Sequence, residues 1–162
     1  MLAVPAKGRM AEPSLRLCAD AGLAFEVTER SLVVPCANAP VDLLLVRPSD
    51  IPEYVQDGVV HAGITGANLV VEAEAEVEVL AELGFARCTL EAAVPEDARP
   101  SAVEDLAGLR VATAYPVSTR RLLEARGVTC ELVPVSGSVE ATPRLGLADA
   151  IVDLVSTGST AS

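Results

Sequence analysis

Short apolar runs alternate with segments of helical pattern along the whole chain, and this alternation constrains the fold more than any other feature. The runs Leu2–Val4, Val41–Val46, Ala62–Ile64, Val77–Ala81, Thr89–Ala93, Leu109–Ala112, Cys130–Val133 and Ala150–Leu154 predict strands. Between them, "SDIPEYVQDG" predicts a helix capped by Ser49 or Asp50, with Pro52 in its first turn and a stop at Gly58. "STRRLLEARG" predicts another, from Ser118 or Thr119 to Gly127. Pro13 fits only the first turn of a helix running to about Asp20. Apolar residues make up 51% of the chain, yet only Phe25, Phe85, Tyr54 and Tyr115 are aromatic. A core of Val, Leu, Ile and Ala suits a parallel sheet covered by helices. The expected class is therefore α/β with mostly parallel strands.

A polar, proline-bearing stretch, "TLEAAVPEDARPSAVEDLAG", follows Phe85–Cys88 and marks the best boundary. It divides the chain into a first lobe over 1–87 and a second over 88–162. Glu72, Glu74, Glu76 and Glu78 alternate with Ala and Val and read as the solvated face of a helix end running into a strand. On a helix, that spacing would not converge on a metal.

The net charge of −11, from 23 acids against 12 bases, works against nucleic acid and anionic membranes as partners. The scarcity of aromatics removes a base-stacking surface. Cys18, Cys36, Cys88 and Cys130 form no C-x-x-C pair and read as reduced, packed thiols. The opening "MLAVPAKGRM" has an apolar stretch too short for a signal peptide, and no run approaches the ~20 residues of a membrane span. A soluble, cytoplasmic protein is expected.

In so acidic a chain, places where bases gather carry information. "PAKGRM" sets Lys7 and Arg9 around Gly8 directly after the first strand, where open α/β sheets bind ligands. Glycine admits a phosphate to the backbone, and the two cations supply charge; the alternative is a solubilising basic turn. Arg47 ends a very apolar strand and is either an anion clamp or a surface bridge. Gly63 and Gly66 around Thr65 either admit a ligand or make a plain tight turn, and His61 reads as a strand-edge residue. Tyr115 and Pro116 precede hydroxyls and Arg120–Arg121, an anion pocket or an ordinary helix start. "SGSVE" (Ser136, Gly137, Ser138, Val139, Glu140) is a turn opening a helix. Asp149 and Asp153 then precede the loop Ser156, Thr157, Gly158, Ser159, Thr160. Paired acids beside a phosphate loop suit a Mg²⁺-diphosphate substrate or the hydroxyls of a ribose. Less specifically, Asp149 is a turn residue and Glu140 a helix-dipole partner. With one histidine and no activated serine, triad chemistry has no support. Together the strand ends favour a phosphorylated polyanion.

"KGRM", "RPSDIPEYVQDGVVHAGITG", "LGFARC", "VATAYP" and "SGSVEATPRLGLADAIVDLVSTGST", in this order over nearly the whole chain, resemble the catalytic subunit of ATP phosphoribosyltransferase. The resemblance implies the first step of histidine biosynthesis: adenine N1 of ATP displaces pyrophosphate from 5-phosphoribosyl 1-diphosphate, with Mg²⁺ required. It implies a two-lobed, periplasmic-binding-protein-like (type II) fold with the active site in its cleft. By motif, Ser156–Thr160 would cradle the ribose 5-phosphate, with Asp153 and Asp149 near the ribose. Glu140 and the Ser136–Gly137–Ser138 turn would lie near ribose and metal, with Glu140 or Asp153 as the acid that reaches Mg²⁺. Lys7, Gly8, Arg9 and Arg47 would meet the diphosphate or triphosphate, and Tyr115 with Gly63–Gly66 the nucleotide. Catalytic roles fall to Arg9, Glu140 and Asp153.

The family's chain continues past the "STGST" loop and returns to the first lobe, whereas this sequence stops at Ser162. The expectation is thus a short-form-like, shortened chain, homo-oligomeric and dependent on a histidyl-tRNA-synthetase-like regulatory subunit. The competing expectation is a truncated or non-catalytic two-lobed module that binds a small anion.

Overall fold

The computed structural model describes residues 1–28 and 31–156. Contacts divide the chain into two units, Met1–Ala86 and Arg87 onward. The sequence places that boundary one residue later.

In the first unit, β1 (Leu2–Pro5), β2 (Val33–Pro35), β3 (Asp42–Val46) and β4 (Ala62–Gly63) form a sheet in the order β2-β3-β1-β4. β1 is parallel to both β3 and β4, and β2 is an antiparallel edge. Both faces of the central strands are covered, so their residues form continuous apolar runs. Val4, Leu43 and Leu45 pack with Cys18 and Ile64 on one face, and Ala3 and Leu44 with Ile51 and Val60 on the other. Cys18 comes from α1 (Ala11–Asp20), with Pro13 in its first turn, and Ile51 from α2 (Ile51–Gln56). α3 (Ala67–Glu72) follows β4.

The second unit repeats this plan. β5 (Cys88–Ala93), β6 (Arg110–Thr113), β7 (Glu131–Pro134) and β8 (Ala150–Ser156) are ordered β5-β8-β6-β7. β6 is parallel to β7 and β8, and β5 is the antiparallel edge. α4 (Pro116–Glu124) contributes Leu123 to the face built by Val111, Ala150 and Val152; Val139 and Ala148 pack on Ala112 behind it.

Several local readings change. Val77–Ala81 joins no sheet: a strand needs a ladder partner, and this segment has none among the described residues. β2 escaped the sequence reading because it is a three-residue edge strand ending in proline, a residue that only an edge accommodates easily. α4 starts at Pro116 rather than at Ser118 or Thr119, since a proline fits the first helical position, where its missing N–H costs nothing. "SGSVE" opens only a single 3₁₀ turn, Val139–Ala141, not a helix. Asp50 occupies the cap position of α2, but no side-chain cap bond forms there, and the Ser49 hydroxyl donates to Asp50 Oδ1 (3.0 Å).

Candidate functional site

Parallel pairing decides which sequence motifs can act together. In each unit the first parallel strand is central, the next lies on one side of it and the last on the other, so the chain changes direction beyond the central strand's carboxyl end. Open α/β sheets bind ligands at that position.

In the first unit, the exits of β3, β1 and β4 share one edge. The Ala6 N–H donates to the Val46 carbonyl (2.8 Å), and the chain then turns through exposed Lys7, Gly8 and Arg9. Gly8 has φ +83°, with open space where a Cβ would stand, so its glycine answers to backbone conformation and leaves the loop accessible. Exposed Arg47 leaves β3 at the same edge. The Thr65 hydroxyl donates to the Pro48 carbonyl (2.7 Å) and ties the exit of β4 to that of β3. Gly63 has a different reason: a Cβ there would collide with the buried Ile51 Cγ2, so this glycine serves helix packing. At Gly66 a Cβ would meet only the movable Asn68 amide tip. His61 lies at the opposite edge, where Nδ1 is 3.0 Å from the Met1 amino group.

In the second unit, the exits of β8, β6 and β7 again share an edge. After β6, the buried hydroxyls of Thr113 and Thr119 bond each other (2.9 Å), and the Tyr115 N–H donates to Thr113 Oγ1 (3.0 Å). This pair fixes Tyr115 at the start of α4. After β7, the turn carries exposed Ser136, Gly137 at φ +151° and Ser138 at φ +49°, while buried Val139 anchors the exposed Glu140. A serine in the left-handed region is uncommon and marks a constrained turn. Asp153 stands one residue past the β8 position paired with the end of β6, and its Oδ1 accepts the Leu154 N–H (2.7 Å). Ser156 ends β8; Thr157, Gly158, Ser159 and Thr160 lie outside the described residues.

Asp149 is not brought to this edge. It precedes β8, about 20 Å of strand from Ser156 at the usual rise. Its Oδ2 accepts the Arg110 backbone N–H (2.9 Å) and Nε–H (3.2 Å), its Oδ1 accepts Nη2–H (2.9 Å), and its own N–H donates to the Arg110 carbonyl (2.8 Å). Arg110 Nη1 also donates to the Gly146 carbonyl (3.1 Å). The Arg110 side-chain hydrogen bonds, followed by its backbone N–H, hold the Asp149 carboxyl below its usual range. Asp149 thus clamps β6 to β8 at the sheet's other end, as a turn residue does.

The sequence names Thr65 only as the middle of a turn and Thr119 only as a helix start, and gives no role to Thr113 or Arg110. Thr113 at a strand exit before Pro116 and Thr119 within the helix after it become legible as a pair once both are known to be buried. Among the described residues no three His, Cys, Asp or Glu side chains gather to hold a metal. No helix among them is long and apolar enough to cross a membrane.

The two sheets, mixed and mostly parallel, with basic and hydroxyl-bearing loops at their carboxyl edges, define an α/β protein of the periplasmic-binding-protein-like type II class. A solved structure titled as the ATP phosphoribosyl transferase (HisG:HisZ) complex from Thermotoga maritima matches with a TM-score of 0.77 and 31% identity, over 97% of this chain and 74% of that one. The family model HisG, ATP phosphoribosyltransferase, matches residues 47–162. Proteins named ATP phosphoribosyltransferase from Methanosarcina mazei and Maricaulis maris are 45% and 46% identical over 98% of this chain. The chain belongs to the ATP phosphoribosyltransferase family. It spans 56% of the length of these relatives.

Proposed function

We propose that this chain carries the machinery for transfer of the phosphoribosyl group from 5-phosphoribosyl 1-diphosphate to N1 of ATP, the first step of histidine biosynthesis. The observation that carries the reading is the gathering of Lys7, Gly8, Arg9 and Arg47 at one strand-exit edge, and of Tyr115, Ser136–Ser138, Glu140, Asp153 and Ser156 at the other, in a member of this family.

The chemistry suits these residue types. Adenine N1 attacks with its own lone pair, so no strong base is needed. The new bond joins N1 to ribose C1, and the breaking C1–O bond leaves its electron pair on pyrophosphate. Arg9, with Lys7 and Arg47, offsets charge on the diphosphate or triphosphate, with guanidinium groups suited to bidentate phosphate contacts. Asp153 and Glu140 accept hydrogen bonds from ribose hydroxyls and favour the positive charge that develops at C1. The Gly63–Gly66 segment and Tyr115 border the nucleotide, and Ser156–Thr160 the 5-phosphate. Catalysis then rests on positioning and electrostatics.

Mg²⁺ fits this donor set as an ion carried on substrate phosphates. It prefers one or two carboxylates plus phosphate oxygens, and Glu140 or Asp153 would supply the protein's share. When bound, it supplies charge neutralisation at the leaving diphosphate. The working protein is a cytoplasmic homo-oligomer with a histidyl-tRNA-synthetase-like regulatory subunit; support for a second component comes from the Thermotoga maritima neighbour, which is titled as a HisG:HisZ complex.

The test is formation of phosphoribosyl-ATP from ATP, Mg²⁺ and the diphosphate donor, with and without a regulatory subunit. Arg9→Ala and Asp153→Asn should each lose roughly a hundredfold in rate, the scale of removing one electrostatic contact to the transition state. His61→Ala, at the far edge, should stay within about twofold of the wild type by the same reasoning. Anion binding without product under either condition would establish the binding-module reading instead.

A further inference from the structure

We propose that Thr65 is a positioning residue whose hydroxyl fixes the turn from which Arg47 reaches a phosphorylated substrate, an inference that rests on the phosphate-binding role proposed for Arg47.

Arg47 leads a turn whose shape is local and whose placement is not. Its carbonyl accepts the Asp50 N–H (3.0 Å), and Pro48 takes the second position of the turn, where its fixed φ fits. The residue before a proline is also kept out of the helical region, so the Arg47 backbone has few conformations left. These restraints shape residues 47–50 but leave open how the turn sits against the rest of the edge.

The Thr65 hydroxyl settles that placement. It donates to the Pro48 carbonyl (2.7 Å) across 17 residues of sequence. The two exits it joins are not neighbours, because β1 lies between β3 and β4. Strands two places apart in a sheet are about 10 Å from each other, so the loops must converge beyond the end of β1 for this bond to form. Register supplies the level: Ala3 pairs with Gly63, and two residues on Thr65 comes level with Pro5, whose partner in β3 is Val46. The Ile64 N–H donates to the Ala3 carbonyl (2.9 Å), and the Ala6 N–H to the Val46 carbonyl (2.8 Å). Three hydrogen bonds thus link the exits of β4, β1 and β3 in a ring, and Lys7, Gly8 and Arg9 follow directly from it. Two of the three are backbone bonds, so the Thr65 bond is the member that depends on residue type.

The chemistry makes Thr65 a support and not a ligand. A hydroxyl has one proton, and this one is committed to the Pro48 carbonyl, which leaves none to donate to a phosphate oxygen. Its contribution is preorganisation: a cation carried on a fixed turn loses less freedom when it closes on an anion.

The test is a double-mutant cycle on the full chain, with ATP and inorganic pyrophosphate as calorimetric probes. Arg47→Ala should weaken at least one probe by about tenfold, the scale of a hydrogen bond to a charged group. Thr65→Val keeps the shape and removes the donor. It should weaken the same probe by about fivefold in the wild-type chain and by less than about twofold in the Arg47→Ala chain, as coupled residues do. Thr65→Ser returns the donor and should bind within about twofold of the wild type. Should circular dichroism show Thr65→Val misfolded, Thr65→Ala takes its place in the cycle. An equal loss in both backgrounds, as a merely structural role would give, overturns the proposal. So does unweakened binding by Thr65→Val beside a weakened Arg47→Ala, or a Thr65→Ser chain as weak as Thr65→Val; each leaves the role of Arg47 standing. Absence of binding to the wild-type chain, or unchanged binding by Arg47→Ala, would remove that role and the proposal with it.

Discussion

Thr113 shows how one side chain can hold a site without touching ligand. Its hydroxyl sits fully buried between Thr119 and the Tyr115 N–H. Thr113→Val keeps the shape but leaves the Thr119 hydroxyl and that N–H without their bonds. A loss of about 1–3 kcal/mol is expected in urea unfolding, the usual cost of stranded buried polar groups. Gly63→Ala should lose a similar amount, about 1–3 kcal/mol, by overpacking: the new methyl has no room beside Ile51, with Val55 Cγ2 3.3 Å away. Both residues were visible in the sequence as a threonine and a glycine, but the atoms facing them were not. Asp149 carries a pH signature. Its folded-state pKa lies below the unfolded value of about 3.9, so its pairing with Arg110 stabilises the protein above that pH. The contribution is lost as pH falls through the lower, folded value. Asp149→Asn should therefore lower Tm at neutral pH, and the gap from wild type should close in acid. A gap that persists in acid would assign the effect to something other than the carboxylate.

At the scale of elements, the turn after β7 links strain to its proposed role. Ser138 at φ +49° holds a conformation that glycine adopts at no steric cost. If strain alone were at issue, Ser138→Gly would stabilise the chain by about 1 kcal/mol. Under the proposed function it should also weaken binding of the diphosphate donor, because the serine hydroxyl is lost; calorimetry with donor and denaturant titration separate the two effects. The strands from Leu2, Asp42, Ala62, Cys88, Arg110, Glu131 and Ala150 were legible because each joins β-rich composition to a turn signal at its exit. Val77–Ala81 has the same local composition and forms no ladder among the described residues, since pairing depends on a neighbour and not on propensity. β2 is the converse, a weak local signal made into a strand by the free edge of β3.

Across the whole molecule, each unit has its own sheet and its own buried core. Cys18 is buried in the first core, Cys130 packs against the second, and burial pushes both thiols up. Thiol labelling in rising urea, read residue by residue, should therefore give separate midpoints for Cys18 and Cys130; one shared midpoint would mean the cores unfold together. By itself, the sequence determined the α/β class, the strand-and-turn rhythm and the residue types at the strand exits. These are local consequences of hydrophobic periodicity and turn chemistry. Only the tertiary structure decided which exits share an edge. Parallel register carries Lys7–Arg9, Arg47 and Gly63–Gly66 to one edge, and Tyr115, Ser136–Ser138 and Asp153 to another. The same register sends Asp149 and His61 to the opposite ends of their sheets. Strand direction and pairing are long-range choices, set by which apolar faces can be buried together, and a one-dimensional pattern leaves them open.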